Sequence, residues 1–299
     1  GVATASGTPD ALVVEQAGLE GPATAELRAA GRRTTLRSLA ARPPLAAAPE
    51  LARLGERRLA SALLRPSWHD GREPLPVLLD PYGGPHAQRV LRSEGAFLAS
   101  QWFAEAGFAV LVTDGRGSPG RGPAWEEAIA GDLASAPLAD QVDALGAAAA
   151  RWPFLDPDRV AIRGWSFGGF LAALAVLRRP DVFGAAIAGA PVTDWRLYDT
   201  HYTERYLGDP ATDAGAYDRS SLLDDAAGLA RPLLLIHGLS DDNVVVAHTL
   251  RLSRALTEAG RPHRVLPLSG VTHMTPQEVV AERLLTLQRD FLAEALALD

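Results

Sequence analysis

From Leu59 onward, apolar runs of four to six residues alternate with longer stretches of helical spacing, the pattern of βαβ units around a mostly parallel sheet. Leu59–Leu64 and Pro76–Leu79 predict strands joined by a polar loop in which Asp70-Gly71 favours a turn, an antiparallel start to the sheet. Phe97–Ala106 predicts a helix closed by Gly107, leading into the strand Phe108–Thr113. Leu138–Ala150 predicts a second helix, ended at Trp152-Pro153 and followed by the short strand Val160–Ile162. Apolar residues then recur at Leu171, Leu174, Ala175 and Leu177, so that Ser166 opens a helix just after a strand. Further strands are expected at Ala185–Ala188, Leu233–Ile236 and Arg264–Leu268, with helices at about Val246–Ala259 and Pro276–Leu296. Residues 1–45 read as short β-like pieces, Asp10–Val14 among them, broken by Gly and Pro and unable to bury a core alone. The expectation is an α/β fold over residues 46–299, a mostly parallel sheet flanked by helices, preceded by a short β-rich segment.

Composition narrows the setting. With 299 residues, 47% of them hydrophobic, the chain can bury one large core. A net charge of -7, with arginines scattered rather than gathered, argues against nucleic acid or an anionic membrane as partner. Without cysteine there is neither a disulfide framework nor a Cys-based zinc site, and the redox compartment is left open. No apolar run reaches the roughly 20 residues that span a bilayer, and no targeting segment stands at Gly1. Localisation is therefore undetermined, with the cytoplasm the default expectation. Met274 is the only methionine, so a chain beginning at Gly1 reads as a processed or truncated product.

Gly164-Trp165-Ser166-Phe167-Gly168 has the Gly-x-Ser-x-Gly pattern between a strand and a helix, where a serine is presented on a tight turn. A helix N-cap serine is the plainer alternative. A serine hydroxyl becomes a nucleophile when an imidazole takes its proton and a carboxylate fixes that imidazole's tautomer. The strand Leu233–Ile236 ends in His237-Gly-Leu-Ser-Asp241-Asp242-Asn243, and the next strand is followed by Ser269-Gly-Val-Thr-His273. Ser166, Asp241 and His273 thus fall in the order and at the strand ends where a sheet of this kind carries function. Asp242 could replace Asp241, and His237 could replace His273, although a strand end suits His237 to a structural hydrogen bond. His248 belongs to a helix face, and His86 borders the site. Oxyanion donors are expected from the backbone N–H of Phe167 and from the loop Asp80-Pro-Tyr82-Gly83-Gly84-Pro85, where a phenol from Tyr82 competes with its reading as a core tyrosine.

Together these segments resemble the prolyl oligopeptidase family of serine peptidases, within it the dipeptidyl peptidase IV branch, and with it the α/β-hydrolase fold. The resemblance covers roughly residues 50–299. It rests on Gly-Trp-Ser-Phe-Gly-Gly, Leu78-Leu-Asp-Pro-Tyr82-Gly-Gly-Pro, Asp114-Gly-Arg-Gly-Ser118, His237-Gly-Leu-Ser-Asp-Asp-Asn-Val244, and the run from Ala190-Pro-Val-Thr-Asp-Trp195 to Tyr206. It implies Asp241 as the triad acid and Tyr82 as an oxyanion donor. It implies a flat apolar pocket for a substrate proline from Phe167, Val192, Trp195, Tyr198, Tyr202 and Val244, and a role for Asn243 in holding the carbonyl of the preceding substrate residue. Stacked aromatic faces suit a ring that has no donor of its own. The activity implied is release of N-terminal dipeptides after Pro or Ala, with an acylaminoacyl peptidase or carboxylesterase as the alternative. No cofactor or metal is called for. Relatives carry an N-terminal β-propeller whose acidic pair holds the substrate's amine, so residues 1–45 are expected to be its last strands and connector. Many relatives also dimerise through the hydrolase domain. Phe167 departs from the family, where many members carry Tyr.

Overall fold

The computed structural model describes residues 1–298. Alternation without apolar mass is what the first residues offer, and they fold accordingly. Val2–Thr8 (β1), Ala11–Ala17 (β2), Thr24–Ala29 (β3) and Arg32–Leu36 (β4) form a four-stranded antiparallel meander. Val14 is the one buried side chain in these four strands, so the meander contributes little hydrophobic stabilisation of its own.

The second sheet begins with a hairpin of Glu50–Leu54 (β5) and Leu59–Leu64 (β6), turning through Gly55 and Arg58, both at positive φ. Leu75–Leu79 (β7), the helix Leu98–Glu105 (α1) and Ala109–Asp114 (β8) follow. Then come the short helix Pro123–Glu126 (α2), the long helix Ser135–Arg151 (α3), and Leu155–Trp165 (β9) leading directly into Phe167–Arg178 (α4). Ala185–Gly189 (β10), Thr200–Leu207 (α5), Ala214–Arg219 (α6), Leu233–Gly238 (β11), Ala247–Glu258 (α7), Arg264–Leu268 (β12) and Glu278–Ala295 (α8) complete the chain.

The eight strands lie in the order β12-β11-β10-β9-β7-β8-β6-β5. From β12 to β8 all neighbours are parallel, and only the β5–β6 end is antiparallel. β7, β8, β10 and β11 are buried at every residue, because helices cover both faces of the sheet. On one face Leu145 of α3, Phe170, Leu171 and Leu174 of α4, and Leu252 and Leu256 of α7 share a core. On the other, Phe103 of α1 and Leu284, Phe291 and Leu292 of α8 pack on Leu78, Val110 and Ile187. Each large side chain so buried stabilises the fold by about 1.5–3 kcal/mol. The whole is an α/β-hydrolase architecture, as expected. Among the described residues, no helix is long and apolar enough to cross a membrane.

Three details differ from the sequence-based expectation. β6 and β7 do not pair, since β8 lies between them and β6 finds its hairpin partner in β5. β9 starts at Leu155, ahead of the expected Val160–Ile162, runs through Asp156-Pro157-Asp158, and reaches the residue before Ser166. Its pairing with β7 jumps from Pro76↔Asp156 to Val77↔Val160, an irregularity placed beside a proline that has no N–H for the ladder. The third is that α5 and α6 form where aromatic and polar residues showed no helical stripe.

Candidate active site

β9 stops at Trp165 and α4 starts at Phe167, which leaves Ser166 alone to turn the chain. It does so at φ 59° and ψ −118°, a conformation that costs an L-residue of order 1–3 kcal/mol and persists only where the surroundings enforce it. They do. The Ser166 N–H donates to the carbonyl of Gly189 at 2.8 Å, and its carbonyl accepts from Phe170 at 2.9 Å. A Cβ on Gly164 would strike the backbone of Gly168, one on Gly168 would stand 2.6 Å from the Pro81 carbonyl, and one on Gly169 would strike the Gly189 carbonyl. The glycines around the serine are therefore a steric requirement of the turn.

Asp241 follows β11 and His273 follows β12, and the structure brings them together. His273 Nδ1 lies 2.8 Å from Asp241 Oδ2, so Nδ1 carries the proton and Nε2 keeps its lone pair. Asp241 Oδ1 accepts from the backbone N–H groups of Asn243 at 3.0 Å and Val244 at 2.9 Å. Asp242 is exposed and Asp241 is buried, which favours Asp241 of the two. The loops are interlocked, since a Cβ on Gly238 would collide with the carbonyl of Val271 and stand 2.5 Å from that of Thr272. His237 takes the structural part. Its Nε2 lies 2.7 Å from the Val244 carbonyl, which can only accept, and its Nδ1 therefore accepts from the Thr249 hydroxyl at 2.7 Å. Burial holds His237 below the usual histidine range. His248, on α7, is buried too, and desolvation with the nearby His237 pulls it down to about 4.

The loop after β7 carries Tyr82 beside the elbow, with its ring 5.8 Å from that of Phe167. Burial, with the hydroxyls of Tyr198 and Tyr206 nearby, pushes the Tyr82 phenol up to about 12, so that it remains a proton-bearing donor at neutral pH. Gly83 and Gly84 let this loop press on α4: a Cβ on Gly83 would stand 2.5 Å from Leu171, and one on Gly84 would enter the Phe167 ring. Phe167 is the first residue of α4, so its N–H has no partner within the helix and lies at the positive end of the helix dipole.

The aromatic residues gather as a wall. Trp195 and Tyr202 stack at 5.9 Å with planes 7° apart, and Tyr198 stands edge-on to both. Phe167 joins through Trp195 at 5.8 Å. Val192, Trp195 and Val244 are buried, whereas Tyr198 and Tyr202 are half-buried. Asn243 Oδ1 accepts from the Tyr198 hydroxyl at 3.1 Å, which ties the Asp241 loop to this wall.

Two supports left no mark in the sequence pattern. Trp165, just before the serine, donates its indole N–H to the carbonyl of His273 at 2.7 Å. Beneath the Tyr82 loop, buried Asp80 accepts from Arg163 at 2.9 Å, Arg89 at 3.0 Å and Ser100 at 2.7 Å. His273 lies 108 residues from Trp165 and Arg163 lies 83 from Asp80, so these two pairings could not be read from spacing. A cavity of about 620 Å³ between Arg231, His263, Arg264 and Phe291 opens at the N-terminal ends of β11 and β12 and holds none of these residues.

A parallel sheet covered on both faces, with a strained serine at a strand-to-helix elbow and a carboxylate and imidazole after later strands, defines an α/β-hydrolase. The chain belongs to the prolyl oligopeptidase family, whose model matches residues 96–299. It is 43% identical over 193 residues to dipeptidyl peptidase 8 of Homo sapiens, a match covering 63% of this chain and 22% of that protein. It is 38% identical over 200 residues to a probable dipeptidyl-aminopeptidase B of Botryotinia fuckeliana, covering 66% of this chain and 21% of that one. Among solved structures, dipeptidyl peptidase 4 of Porphyromonas gingivalis superposes with a TM-score of 0.88 at 29% identity, covering 98% of this chain and 43% of that chain. The chain thus spans about a fifth of the length of these curated relatives.

Proposed function

We propose that this chain is the catalytic part of a serine peptidase that releases N-terminal dipeptides after proline or alanine. Ser166 Oγ attacks the scissile carbonyl while His273 Nε2 takes its proton, and Asp241 holds the imidazole in the tautomer that makes this possible. The tetrahedral oxyanion is met by the Phe167 N–H and the Tyr82 hydroxyl. The imidazolium then protonates the departing amine, leaving an acyl-enzyme at Ser166. Water, deprotonated by the same imidazole, hydrolyses that ester and returns the serine proton. Phe167, Val192, Trp195, Tyr198, Tyr202 and Val244 form the pocket for the proline ring, with Asn243 at its edge binding the preceding carbonyl.

The observation that carries this reading is the Asp241–His273 pair at 2.8 Å, on loops tied to the strained serine's elbow by the Trp165 indole on the His273 carbonyl. The aromatic wall and the dipeptidyl peptidase relatives support the peptide activity; an acylaminoacyl peptidase or carboxylesterase, which the same triad could serve, is not favoured. The relatives' greater length is compatible with a further N-terminal domain. On that basis we read β1–β4 as part of a β-propeller continuing upstream, and a homodimer through the hydrolase domain belongs to the same proposal. The test compares Gly-Pro-p-nitroanilide with p-nitrophenyl butyrate and an N-acetylated peptide on the intact protein. The dipeptide anilide should be the preferred substrate, and turnover of the ester alone would reject the peptidase reading. Ser166→Ala should lower turnover about a millionfold and abolish fluorophosphonate labelling.

A further inference from the structure

His86, in the loop that carries Tyr82, is one of the few non-glycine residues at positive φ, 71°. Histidine tolerates this region better than most residues but still pays in strain, which survives only when neighbours hold it. His86 is exposed, and α5 supplies the contacts of its ring. His86 Nε2 lies 3.1 Å from the Tyr206 hydroxyl. The His86 ring lies 5.3 Å from that of Tyr202 and 6.1 Å, edge-on, from that of Tyr206. Tyr202 and Tyr206 are one turn apart on α5, so a single imidazole touches two successive rungs of the helix. On its far side Tyr202 stacks on Trp195, which makes a continuous row from His86 through the pocket wall.

We infer that His86 is a positioning residue, a latch that joins the loop carrying Tyr82 to the helix carrying the pocket wall and fixes the spacing between them. The inference rests on the function proposed above. From below, the loop is fixed by Gly83 and Gly84 pressed onto Leu171 and Phe167. From above, His86 fixes it to α5. Tyr82 bonds an oxyanion that exists only in the transition state, so a shift of the loop should leave substrate binding intact and slow the chemical step. A pocket-lining role would act the other way, through KM.

The experiment uses the intact protein with His86→Gly, which removes the ring and relieves the backbone strain, together with Tyr206→Phe and the double variant. Gly-Pro-p-nitroanilide kinetics and the rate of fluorophosphonate labelling, in which Ser166 Oγ displaces fluoride from phosphorus, are both measured. Each single variant should lower kcat about tenfold with KM within twofold, and should slow labelling in proportion. The double variant should be no slower than the slower single one, because both changes break the same link. A rise in KM at constant kcat, unchanged kinetics in His86→Gly, or multiplying losses in the double variant would each overturn the latch. Wild type that labels but leaves the anilide uncleaved overturns the dipeptidyl reading alone, because the labelling rates still decide the latch. Wild type that does neither overturns the hydrolase reading on which both stand.

Discussion

Asp241 and Trp195 are both buried and are held in opposite ways. Asp241 has its oxygens occupied by two backbone N–H groups and by His273, on loops so tightly apposed that a single Cβ at Gly238 would not fit. Trp195 is 1% exposed, yet its indole N–H has no hydrogen-bond partner among the described residues, and rings at 5.4–5.9 Å are what hold it. The polar corner is specified atom by atom. The aromatic wall is specified by area and shape. A directional network fails when one atom changes, because a buried group is left unpaired. A wall of rings loses contact in proportion to what is removed.

That contrast can be tested at three strengths. The largest effect is expected at the corner: Asp241→Asn keeps the shape but no longer favours the Nδ1–H tautomer of His273, and kcat on Gly-Pro-p-nitroanilide should fall about ten-thousandfold with the fold intact by circular dichroism. A fall of less than about tenfold would mean that the carboxylate does not orient the base.

Next comes His248, buried on α7 near His237. His248 is neutral in the fold until about pH 4, whereas unfolded histidine takes a proton near 6.5. Between those values the unfolded state binds the extra proton, so stability is complete above about pH 6.5 and is lost as pH falls toward 4, to a total of order 3 kcal/mol. His237, also depressed by burial, acts in the same direction. Thermal midpoints from pH 7 to 4.5 should therefore fall more steeply for wild type than for His248→Gln, and parallel curves would remove this account.

The smallest effect belongs to the wall. Tyr202→Ala should raise KM for the proline substrate about tenfold while kcat changes less, since ring area binds ground state and transition state alike. A kcat loss as large as that of Asp241→Asn would show that wall and corner are not separate.

What could be read in advance follows the same division. Strand β12 matches its expected bounds, and α4, Ser166, Asp241 and His273 were visible because local apolar spacing and the order of loops after strands are properties of the linear chain. The placement of β8 between β6 and β7 was not, because strand order is decided by pairing between distant segments. Nor was α5, whose buried face is made of Thr203 and Leu207 with tyrosines beside them, a stripe too polar to stand out. Asp80 looked like a loop residue, and nothing in its own neighbourhood announces Arg163 eighty-three residues later. The pairing of Asp241 with His273 was legible, then, and the buried ion network beneath the Tyr82 loop was not.

Trp165 gives the corner a further property. Its indole binds the carbonyl of His273, and its ring occupies the space that a side chain at Gly189 would need. Three residues from three separate strands or loops therefore share one volume and one hydrogen bond. Across descendants of this sequence Trp165 and Gly189 should be inherited together, because the bond to residue 273 uses a backbone carbonyl: lineages that replace the tryptophan gain freedom at position 189, and lineages that keep it retain glycine there.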